Sequence, residues 1–135
     1  MPYTMNQKVL FKHCDPAGIV FYPRYFEIIN DCVETFFDDV LGHPFENLLI
    51  DGGVPTARIQ ADFTAPSRHG DQLRLELRCV RLGKSSMDLH FRALCGDQTR
   101  LSATMTLVHV NKSGKPARWP DTLREIAQRH VEGDA

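Results

Sequence analysis

The sequence predicts an α+β fold in which an antiparallel sheet is laid against one long helix. Three observations lead there. Four segments in the second half have strand character, and three of them alternate apolar and polar residues with period two. One segment near the start repeats its apolar residues every three to four positions. The strand-like segments are joined by connections short enough for hairpins.

Taken in order, residues 8–13 read as a first strand, with Val9 and Phe11 on one side and Leu10 and Lys12 on the other. Asp15-Pro16-Ala17-Gly18 follows, with Asp, Pro and Gly at the first, second and fourth positions that a type I turn favours. Pro23 suits the first position of a helix, where its missing N–H has no intrahelical partner to lose. From there Tyr25/Phe26, Ile28/Ile29, Cys32/Val33, Phe36/Phe37 and Val40/Leu41 form one apolar face. Gly42 stands where a left-handed cap belongs, so the helix is about 19 residues and roughly 28 Å long. A short second helix is expected over 43–51 after Pro44, ended by Asp51-Gly52-Gly53. The strands then cover 54–65, 72–82, 86–94 and 100–110, with hairpin connections at Gly83-Lys84 and Gly96-Asp97. After a turn over 111–116, Thr122 and Glu125 have the spacing of a capping box, opening a last helix that runs to about Val131.

Composition narrows the function classes. The 135 residues suffice for one domain and not for two, so 1–135 is read as a single domain. A formal net charge of -1 gives no overall pull toward nucleic acid or an anionic membrane. No apolar run reaches the roughly 20 residues of a membrane span, and the first residues lack a signal-peptide pattern, so a cytoplasmic location is expected. Cys14, Cys32, Cys79 and Cys95 lie far apart without a CxxC pair and are expected as reduced thiols.

Among the chemistry-bearing residues, Asp15 stands out by position. One reading has it cap its own turn. The other has it aimed at whatever the following helix start binds: backbone N–H groups around Val20 to Tyr22 hold a carbonyl oxygen while Asp15 attacks the carbon or deprotonates a water. His13, Cys14 and Asp15 are three ligand types in a row, but neighbours in an extended strand point to opposite faces, so no metal site is expected. Asn30 lies near the edge of the apolar stripe, where it either faces solvent or reaches a polar group on a substrate's acyl chain, while Asp31 falls on the polar side. Arg81, Lys84 and Ser85 surround one predicted turn, and Lys112, Lys115 and Arg118 the next. These two small clusters suit the phosphates of a nucleotide-bearing substrate. No GxGxxG or Walker pattern is present.

The run Cys14-Asp15-Pro16-Ala17-Gly18-Ile19-Val20-Phe21-Tyr22-Pro23, followed by Tyr25, resembles the signature of hotdog-fold acyl-CoA thioesterases, in the branch of the Pseudomonas-type 4-hydroxybenzoyl-CoA thioesterase. The resemblance implies a hotdog fold, an antiparallel sheet wrapped around one long central helix. It further implies dimers that join their sheets edge to edge, usually a homotetramer, and active sites between two subunits. Asp15 matches the family's nucleophile or general base, and the backbone amide of about Tyr22 its carbonyl-polarising group. Gly18 falls among the substrate-binding positions. Asn30 stands where the family has an Asp that contacts the hydroxyl of an aromatic acyl group, and Arg81, Lys84, Ser85 and Arg118 fall near its contacts to CoA phosphates. Pro23 stands where related bacterial members often have His. The other thioesterase branch, with an HGG motif and a Glu on the helix, is not matched. The expectation is hydrolysis of an acyl-CoA, aromatic or short-to-medium, to a carboxylate and CoA, with no cofactor beyond the CoA of the substrate. Two alternatives stand beside it: a non-catalytic acyl-thioester-binding protein, and a hydroxyacyl-thioester dehydratase. The second calls for a histidine partner that His13 does not supply at the right spacing.

Overall fold

A computed structural model describes residues 1–132 of the chain. Its strands are β1 (Tyr3–Lys8), β2 (Gly52–Gly53), β3 (Thr56–Phe63), β4 (Gln72–Leu82), β5 (Ser86–Cys95), β6 (Gln98–Val108) and β7 (Val110–Asn111). Its helices are α1 (Tyr22–Asp39), α2 (Phe45–Leu48) and α3 (Asp121–Arg129). Strands β1, β4, β5, β6 and β3 form, in that order, one five-stranded antiparallel sheet.

The period-two patterns sort as their spacing demands. Leu73, Leu75, Leu77 and Cys79 of β4, Met87, Leu89, Phe91 and Ala93 of β5, and Leu101, Ala103, Met105 and Leu107 of β6 are all buried. They meet the buried stripe of α1, made by Tyr25, Ile28, Ile29, Cys32, Val33, Phe36 and Phe37. The long helix therefore lies across one sheet face, and the other face carries the polar half of each strand. Gly42 closes the segment after α1 with a φ of 67°, a conformation that a side chain disfavours.

Three local expectations are corrected. The first strand is Tyr3–Lys8, and residues 11–13 instead make one turn of 3-10 helix. The cause is His13, whose N–H bonds to the Leu10 carbonyl at 3.0 Å and whose Nδ1 accepts the Leu10 N–H at 2.9 Å, curling the chain. Phe11, paired with Val9 in the expected strand, is 81% exposed while Val9 is fully buried. Gly52 and Gly53 are more than a helix stop: they form β2 against β7, where a Cβ on Gly52 would run into the Val110 carbonyl oxygen. Thr122 caps nothing. α3 begins at Asp121 behind Pro120, no side chain bonds its first N–H groups, and the Thr122 hydroxyl lies 2.9 Å from His43 Nε2.

Among the described residues, no helix is long and apolar enough to cross a membrane. All four cysteines are free thiols; Cys32 and Cys79 are buried, and burial pushes the Cys32 thiol up to about 12 and the Cys79 thiol up to about 11.

Candidate active site

Asp15 to Gly18 form the turn that their residue types predict, closed by a bond from the Gly18 N–H to the Asp15 carbonyl at 2.9 Å. The Asp15 carboxylate caps it: Oδ1 accepts the Ala17 N–H at 2.9 Å, while Oδ2 has no hydrogen-bond partner among the described residues. Asp15 is half-buried. The turn is pinned to the helix start from both sides, by Asp15 N–H to the Ile19 carbonyl at 3.0 Å and by Phe21 N–H to the His13 carbonyl at 2.9 Å.

Of the three amides proposed to hold a carbonyl oxygen, two are engaged. Val20 N–H bonds to the Ser67 carbonyl at 2.8 Å and Phe21 N–H to His13, whereas Tyr22 N–H has no partner among the described residues. Tyr22 is the first residue of α1 and Pro23 the second, so Tyr22 presents a free donor where the helix dipole is positive, with a neighbour that has no N–H. Gly18 adopts a φ of 80° and spends its N–H on the turn, so what it offers a ligand is a bare Cα.

Beside this start lies a cleft of about 300 Å³ lined by Val20, Tyr22, Tyr25, Phe63, Ala65 and Ser67 among others. A smaller apolar cleft of about 200 Å³ opens further along α1, between Phe26, Ile29, Asn30, Thr56, Ile59 and Met105. Asn30 is exposed at its rim, and Asp31 faces solvent on the acidic side of α1.

Of the two basic groups along the chain, one member of the second, Arg118, joins the first in space. His109 N–H bonds to the Ser85 carbonyl at 2.7 Å, Trp119 N–H to the Lys84 carbonyl at 3.1 Å, and His109 Nδ1 lies 3.1 Å from the Arg118 carbonyl. Lys84, Ser85 and Arg118 are thus brought together at the β4–β5 turn, with Arg81 exposed just before it on β4. Lys112 stands apart, 3.5 Å from Asp51. This cluster is not beside Asp15. Tyr22 packs on Phe63, opposite Leu101, whereas Ser85 and Arg118 lie by the Leu107 end of β6, about 20 Å along the strand.

His13 is buried behind the turn, and burial, then the charge of Lys12, pushes its imidazole below the usual value. The unfolded chain takes up this proton below about pH 6.5 and the folded chain only at lower pH. Stability is therefore complete above that pH and falls as the pH drops below it. Thermal melts should show the midpoint falling from pH 7 to pH 5, and falling less in His13→Asn, whose Oδ1 can still accept the Leu10 N–H.

Comparison with known proteins bears on the family and the fold. A family model described as the Thioesterase-like superfamily matches residues 9–126. A 4-hydroxybenzoyl-CoA thioesterase from Pseudomonas sp. strain CBS-3 is 28% identical over 81 residues, 58% of this chain and 57% of that relative's length. A 1,4-dihydroxy-2-naphthoyl-CoA hydrolase from Synechococcus elongatus is 23% identical over 93% of this chain and 95% of its own. The crystal structure of a 1,4-dihydroxy-2-naphthoyl-CoA thioesterase from Synechocystis superposes with a TM-score of 0.87 at 18% identity, covering 95% of this chain and 96% of that one. Its fold is the hotdog fold expected from the turn and helix signature. With the family model spanning most of its length, from before the Asp15 turn into α3, the chain belongs to the Thioesterase-like superfamily.

Proposed function

We propose that this chain, as one domain, is an acyl-CoA thioesterase of the Pseudomonas-type 4-hydroxybenzoyl-CoA thioesterase branch, with Asp15 as its carboxylate catalyst. The observation that carries the reading is the free Tyr22 N–H at the start of α1, which follows directly on the turn whose half-buried Asp15 carboxylate has one oxygen uncommitted. A donor so placed draws charge onto a thioester oxygen as it becomes an oxyanion, and one such donor is worth about 3 kcal/mol. Asp15 then either attacks the carbon, giving a mixed anhydride and CoA thiolate before water cleaves the anhydride, or takes a proton from the water that attacks. Both routes end in a carboxylate and free CoA and use the same oxygen in the same place.

The apolar cleft at Asn30 suits the acyl group, aromatic or short-to-medium aliphatic, with the Asn30 amide as an uncharged hydrogen-bonding partner. The cluster of Arg81, Lys84, Ser85 and Arg118 suits the CoA phosphates. The edge of the sheet supports an oligomer. Among the described residues β3 pairs only with β6, its outer edge is eight residues long, and it carries exposed Ile59 and Phe63, the latter packed on exposed Tyr22. Such an edge calls for a partner strand, and a second copy of β3 supplies one in a homodimer or a homotetramer built from it.

Thiol release measured over a panel of aromatic, short aliphatic and long aliphatic acyl-CoAs tests the proposal. Turnover should concentrate on aromatic or short-to-medium chains. Saturable binding of acyl-CoA with no thiol released from any of them would instead identify a non-catalytic binder.

A further inference from the structure

The Asp15 turn does not stand by itself. It rests on the loop between β3 and β4, through Val20 N–H to the Ser67 carbonyl at 2.8 Å and His69 N–H to the Gly18 carbonyl at 3.2 Å. That loop is held by a polar network beneath the cleft. Ser67 is 1% exposed, and its hydroxyl accepts from the Tyr25 hydroxyl at 2.6 Å and from Arg100 Nη1 at 3.1 Å. The same Arg100 nitrogen donates to the Pro66 carbonyl at 3.0 Å and to Asp71 Oδ2 at 2.8 Å, and Asp71 Oδ2 also accepts the Arg68 N–H at 2.9 Å.

Three elements meet at one side chain. Tyr25 belongs to the first turn of α1, Arg100 to β6, and Ser67 to the loop that carries the Asp15 turn. We propose that Ser67 is the positioning residue of the candidate active site, its hydroxyl locked by Tyr25 and Arg100 so that its carbonyl fixes Val20 and, through it, the register between Asp15 and the free Tyr22 amide. This rests on the thioesterase reading for its catalytic meaning, but the mechanical linkage stands without it. The geometry favours such a role over plain packing. Val20 lies between the acid and the amide in the chain, and Ser67 is the group that takes up its N–H. A small displacement of a reacting group is enough to cost catalysis far more than it costs stability.

The test compares Ser67→Ala and Tyr25→Phe with wild type, using amide hydrogen exchange and acyl-CoA kinetics together. Exchange at Val20 should quicken by about tenfold, the size of one lost buried hydrogen bond, while amides in β4 and β5 keep their wild-type rates. The kcat should fall by at least about tenfold with KM within a factor of about two. Unchanged exchange at Val20, an equal rise across β4 and β5, or local loosening with unchanged kcat would each overturn the proposal. If Ser67→Ala does not fold, Tyr25→Phe removes a single oxygen and carries the same test. A wild-type protein that cleaves no thioester would sink the thioesterase reading alone, and the exchange measurement would still decide the linkage.

Discussion

Asp15→Asn is expected to lower kcat by about a thousandfold or more, while the protein folds and melts as wild type does. Asparagine keeps an Oδ1 in place for the Ala17 N–H, so the cap on the turn survives. What it removes is the charge and the basicity of the second oxygen, the one left uncommitted. An amide neither attacks a thioester carbon nor takes a proton from water at neutral pH. The substitution therefore separates the two readings of this residue that its position before Pro16 left open. If Asp15 served only the turn, Asp15→Asn would retain wild-type turnover, and Asp15→Ala would cost about 1 kcal/mol of stability with no specific loss of rate. Circular dichroism melts and thiol-release kinetics on the same samples decide between them.

The two readings are not in conflict, which explains why sequence alone left them open. A carboxylate has two oxygens; one serves the turn and the other has no hydrogen-bond partner among the described residues. The core strands were legible because β4, β5 and β6 are covered on one face only, so burial writes a period of two into their residues. β3 has no such imprint, being exposed along nearly its whole length, and its extent followed only from its place between turns. The curl at residues 11–13 was hidden because it depends on a histidine side chain bonding its own backbone, which no apolar pattern records. The cation cluster was seen as two groups because its members, Lys84 and Ser85 on one side and Arg118 on the other, are joined by backbone bonds through His109 and Trp119. Nothing in the sequence marks Ser67 and Arg100 as part of a site. A serine in a polar loop and an arginine on a strand have no local signature, and their importance arises only where the fold brings Tyr25 and Arg100 together on the Ser67 hydroxyl.

Reversing the charge of the cluster, Lys84→Glu with Arg118→Glu, is expected to lower kcat/KM on acyl-CoA by about a hundredfold, most of it in KM. Each lost charge-assisted contact to a phosphate is worth about 1.5 kcal/mol or more, and the new carboxylates repel the same group. Neither side chain supports the fold: Lys84 is exposed, and Arg118 reaches Asp121 only at 3.8 Å with most of its surface in solvent. The decisive comparison is the N-acetylcysteamine thioester of the same acyl group, which has the thioester and no nucleotide. Its kinetics should stay within a factor of about two of wild type, because the chemistry at Asp15 lies about 20 Å along the sheet from these residues. Raising the salt should weaken wild-type binding of acyl-CoA and leave the truncated substrate alone, since only the former relies on exposed charges. Equal losses on both substrates would place the effect in the fold, and no loss on either would send the CoA phosphates to other cations.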